Sequence, residues 1–141
     1  MVEYWGGLTK AALTSAFELF PISIPLLSIA AISFYRKRLV EKSEVRRIIL
    51  LALVQAPWLF LLTGIGTWFR NPSYYPQSDP YNRAAAHALQ AVWVGTFLIM
   101  LLAIWRFRNT RWFAFGLLGF VQFLLSIGYL VSAMSITGNW I

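Results

Sequence analysis

The sequence predicts an all-α membrane protein: an antiparallel four-helix transmembrane bundle with both termini outside and short loops. Three observations predict it. The 141 residues are 59% hydrophobic and 12% charged, against about 45–50% apolar and about 25% charged in an ordinary soluble domain. Four stretches are apolar over the roughly 20 residues that a spanning helix requires. The basic residues gather in the connections between those stretches and divide unevenly between the two ends. One integral membrane domain covering residues 1–141 follows from the length.

The first span is expected over about residues 11–35. Its apolar run is too long for a cleaved signal peptide, and Arg36-Lys37-Arg38 follows it rather than preceding it, so it reads as a retained anchor. The second span is expected at 48–69, the third at about 84–105 and the fourth at 112–136. The connections 36–47, 70–83 and 106–111 are short, which makes consecutive helices antiparallel neighbours.

Charge sets the orientation. Arg36, Lys37, Arg38, Lys42, Arg46, Arg47, Arg106, Arg108 and Arg111 lie at one end, whereas only Lys10, Arg70 and Arg83 lie at the other. Nine against three places the first and third connections in the cytoplasm. Aromatic residues mark both interfaces: Trp5, Trp68, Tyr74, Tyr75, Tyr81 and Trp140 outside, Tyr35, Trp105 and Trp112 inside. The expected location is a prokaryotic cytoplasmic membrane.

The outer connection carries Pro72, Pro76 and Pro80. Proline removes an amide donor and blocks helix continuation, so an extended cap over the bundle mouth is expected. Asp79-Pro80 is a helix-start signal, with Asp79 as cap and Pro80 in the first turn. In the first connection Glu41 and Glu44 can pair with Lys37, Lys42 or Arg47. A solvated loop is the plain reading there, and a docking patch for anionic lipid or an acidic partner is the alternative.

Polar residues inside apolar spans carry the most information, because each needs a partner. At 3.6 residues per turn, Thr14, Glu18, Pro21, Pro25 and Ser28 form one stripe of the first span. Gln55, Thr63 and Gly66 share a face of the second. Arg83, His87 and Gln90 follow one another on the third. Gly119, Gln122, Ser126, Tyr129 and Ser132 line up on the fourth. Small and polar faces come together in membrane bundles, so these stripes are expected to face the interior or a partner subunit. Similar depths in the outer half suggest a site of Glu18, His87, Gln90 and Tyr129, with Arg83 above it, for a ligand, a proton or a partner. Gln55, Gln122 and Ser126 read as polar packing between helices.

Several function classes are disfavoured. The net charge of +7 is dispersed over loops, with no basic face long enough to track nucleic acid. Cysteine is absent and Asp79 is the only aspartate, so thiolate chemistry and a Ser/His/Asp triad are excluded. No metal site is expected. His87 is the only histidine, which leaves haem only between two copies or with a different second ligand. No cofactor is otherwise expected, and enzymatic activity is not anticipated. The leading expectation is a non-catalytic, multi-pass accessory subunit. It would stabilise or position a larger membrane complex, respiratory or otherwise redox-active, and could hold lipid or quinone. The competing expectation is a self-contained homo-oligomeric transporter or channel with Glu18 as its protonatable coupling group.

Overall fold

In the computed structural model the described residues, 2–37, 42–69 and 80–137, are helical apart from short turns. The elements are α1 (Val2–Glu18), α2 (Phe20–Lys37), α3 (Lys42–Gln55), α4 (Trp58–Trp68), α5 (Pro80–Arg106), a 3₁₀ turn (Arg108–Thr110) and α6 (Arg111–Thr137). Three stretches are long and apolar enough to cross a membrane: Lys42–Trp68, Arg83–Arg106 and Arg108–Thr137. The α1–α2 pair passes the same test together, but is bent by 71°. The expected cap over residues 70–79 lies outside the described residues. Helix α5 does begin at Pro80, where Asp79-Pro80 signals a start.

The first apolar segment differs from the single straight span expected over 11–35. It breaks at Leu19. Pro21 explains the break: its ring replaces the amide that would bond four residues back and clashes with that turn. The Leu19 amide still bonds the Ser15 carbonyl at 2.9 Å, and Ile22 restarts on the Leu19 carbonyl at 3.0 Å. Pro21 then sits in the first turn of α2, where proline costs little. The buried Ser23 donates its hydroxyl to the Phe20 carbonyl at 2.7 Å, satisfying an acceptor near the break.

Pro57 interrupts the second segment more gently. The Ala56 amide closes α3 on the Ala52 carbonyl at 2.9 Å, and Phe60 opens α4 on the Pro57 carbonyl at 3.0 Å. The two helices still form one continuous stretch of 27 residues.

Helix α6 is the centre of the molecule and packs against α1, α2, α3, α4 and α5. Half of its apolar window (50%) is buried, against 22% for α5. Leu118 and Leu125 on α6 join Ile48, Leu62 and Leu89 in the main core. A second cluster sets Leu8, Ala12 and Ala16 of α1 against Ile127 and Val131. The two halves of the first segment thus cover different halves of α6. Helix α2 meets Gly116 and Gly119, near Arg111, whereas α1 meets residues nearer Thr137.

Two glycines permit these approaches. A Cβ at Gly116 would lie 2.5 Å from the Leu26 carbonyl oxygen and 2.6 Å from the Ala30 nitrogen. Both obstacles are backbone, so they cannot rotate aside. A Cβ at Gly66 would meet Ser132 Cβ at 2.6 Å. By contrast, a Cβ at Gly95 meets nothing within 4 Å. Overpacking costs about 1–3 kcal/mol. Gly116→Ala is therefore expected to lower stability by about that amount in a denaturant titration of detergent-solubilised protein, and Gly95→Ala by less than about 0.5 kcal/mol. Equal effects would reject the close α2–α6 approach.

Candidate functional site

The polar residues of the apolar segments divide into two groups, one turned into the molecule and one turned out. The inward group forms a hydrogen-bonded seam among α3, α5 and α6. Trp93 Nε1 donates to Ser126 Oγ at 3.0 Å, and Ser126 Oγ donates to the Gln122 carbonyl at 2.8 Å. Thr96 Oγ1 donates to the Trp93 carbonyl at 2.8 Å. Gln55 Nε2 reaches the Thr96 carbonyl at 3.5 Å, a long and weak bond. Tyr129 is half-buried, and its ring stacks on Trp93 with centroids 5.5 Å apart.

Two members of this seam keep unused capacity. Gln55 and Gln122 are only 2% and 6% exposed. The Gln55 Oε1 atom and both amide atoms of Gln122 have no partner. Ser132 Oγ is likewise buried without a partner, while its neighbour Ser135 donates to the Gly66 carbonyl at 2.9 Å. The chemistry here is neutral: amides, hydroxyls and an indole, with the Tyr129 phenol as the one titratable group. Such a seam can hydrogen-bond a neutral polar group but offers no general base. Of the three residues expected to give polar packing between helices, Gln55 and Ser126 bond to α5, whereas the Gln122 side chain is buried without a partner. The part played by Trp93 and Thr96 was missed, although Thr96 lies one helical turn beyond Trp93 on the same face.

The outward group is larger than expected. On the first segment Thr14, Glu18, Pro21, Pro25 and Ser28 are all exposed. Leu8, Ala12, Ala16, Ser23 and Ala30 face the core instead. On α5, Arg83, His87 and Gln90 are exposed, together with Ala84, Ala88 and Ala91. Of the four residues expected to meet in the outer half beneath Arg83, Tyr129 points inward to Trp93. Glu18, His87, Gln90 and Arg83 stand on the outer surface, and among the described residues no hydrogen bond or ion pair joins them. Glu18 ends α1 beside the break.

No family model, curated relative or solved structure matches the chain. The surfaces therefore speak through their own chemistry. Among the described residues no group of three His, Cys, Asp or Glu could hold a metal ion. Among the described residues, apolar clefts open on the surface. One of about 530 Å³ lies between α1 and α4 beside Lys10, Phe17 and Phe60. One of about 340 Å³ lies beside Phe34 and the start of α3. One of about 240 Å³ lies against Ile104, Arg111 and Trp112.

The seam carries a direct test. Hydrogen bonds between membrane helices contribute about 0.6 kcal/mol on average and at most about 1.7. In a double-mutant cycle, Trp93→Phe and Ser126→Ala are expected to show a coupling in that range when unfolding is followed by tryptophan-independent circular dichroism. Strict additivity would remove the bond from the account.

Proposed function

We propose that the chain is a small non-catalytic subunit of a larger membrane assembly, crossing a bilayer four times with both termini outside and residues 36–47 and 106–111 in the cytoplasm. One observation carries the reading: Thr14, Glu18 and Ser28 of the first segment and Arg83, His87 and Gln90 of α5 are exposed rather than turned into the chain's own core. Hydrocarbon is a poor solvent for a carboxylate, an imidazole or a carboxamide, and such groups face protein or a water-filled cavity. Ala84, Ala88 and Ala91 keep the α5 surface flat beside His87 and Gln90, as suits close contact with another helix. Lipid or quinone at the boundary with the partner is compatible with the apolar clefts.

Purification from native membranes in mild detergent tests the proposal. The wild-type chain is expected to elute with a stable partner. Ala91→Trp is expected to reduce the recovered partner about tenfold, corresponding to about 1.4 kcal/mol, while helix content and thermal stability stay unchanged. A chain that elutes alone, or a variant that keeps its partner in full, rejects the reading.

A second reading is favoured by the position of Glu18 beside a break in an apolar segment. Broken helices at membrane depth line binding sites in many transporters. Under this reading the chain forms a homo-oligomer and couples cargo to protonation of Glu18. Glu18→Gln would then abolish pH-driven flux in reconstituted vesicles with folding retained, whereas full activity of the variant would dismiss it.

A further inference from the structure

We propose that the cleft at the start of α3 binds one anionic glycerophospholipid, its phosphate held between Lys42 and Arg46 and an acyl chain laid along Val45, Ile49 and Leu50. The cleft is lined by these residues and by Phe34 of α2, and has a volume of about 340 Å³. That lies at the lower end of the range for small-molecule sites, about 300–1,000 Å³. The proposal requires a membrane setting but does not rest on the subunit reading.

The argument is one of charge and polarity combined. Lys42 and Arg46 are four apart on one helix, so their side chains are neighbours one turn apart. Both are exposed. The carboxylate between them in sequence is engaged elsewhere: Glu44 accepts a hydrogen bond from Thr110 Oγ1 at 2.9 Å, and it does not line the cleft. The same bond sets the start of α3 beside the turn that carries Arg108 and leads into Arg111 of α6, so the cleft lies at the strongly basic end. Among the described residues the rest of the lining is apolar, with Ile49 and Leu50 exposed and Val45 buried. A free phosphate would use only the cations, and an acidic peptide would leave the apolar wall to water. An anionic lipid uses both.

Basic residues at a membrane surface contribute about 1 kcal/mol each toward anionic lipid, or about fivefold per residue. The experiment measures phosphatidylglycerol retained by the purified chain, by native mass spectrometry and by exchange from nanodiscs containing phosphatidylglycerol and phosphatidylcholine. Wild-type protein is expected to retain one phosphatidylglycerol in preference to phosphatidylcholine. Lys42→Gln combined with Arg46→Gln is expected to weaken that retention about twenty- to thirty-fold. Ile49→Trp, which fills the wall but keeps both charges, should also weaken it, and provides the test if the double variant does not fold. Arg108→Gln, at the same end but not lining the cleft, should leave retention within about twofold, because it makes no direct contact with the bound phosphate. An equal loss in Arg108→Gln would show diffuse attraction and overturn the site. Displacement of the lipid by inorganic phosphate or by a short acidic peptide would overturn the lipid as occupant, as would equal retention of phosphatidylcholine.

Discussion

The close approach of helix backbones at Gly116 and Gly66 is the contact on which the rest of this fold depends. Between helices this apolar, surrounded by an equally apolar medium, there is little hydrophobic gain in association. What remains is dispersion, summed over many short contacts and lost quickly when a gap opens. Glycine is a poor helix former in water, by about 1 kcal/mol relative to alanine. Here it removes the side chain that would hold α2 and α4 off α6. With α6 in contact with every other helix, the short halves of the first segment gain a surface that neither could create alone.

A polar division is laid over this packing. The second and fourth apolar segments turn Gln55, Thr63, Gln122 and Ser132 inward, where Trp93 and Ser126 stitch α5 to α6. The first segment and α5 turn their polar stripes outward. Helical periodicity treats these two cases identically, since a stripe shows which residues share a face and not what that face meets.

That distinction explains what the sequence disclosed. Apolar length revealed Lys42–Trp68, Arg83–Arg106 and Arg108–Thr137 as long apolar helices, because that property belongs to each helix separately. The start of α5 at Pro80 was legible for the same reason. The 71° bend at Leu19 was not, although Pro21 was visible. A proline inside an apolar run is compatible with a slight kink or a full break, and neighbouring helices decide between them. Pro57 shows the milder outcome in the same chain. The gathering of Glu18, His87, Gln90 and Tyr129 rested on depth alone. Depth says nothing about azimuth, and Tyr129 turned toward Trp93 while the others turned outward.

The broken first segment has a consequence for biogenesis. At 1.5 Å per residue, the portion of α1 from Gly6 to Glu18 and the portion of α2 from Phe20 to Arg36 extend about 20 and 25 Å, each less than a hydrocarbon core of about 30 Å. Each half falls short of a full crossing by itself, and both pack on α6, which follows them in the chain. The two halves of the first segment can therefore reach their final packing only after α6, made later than either, has joined them.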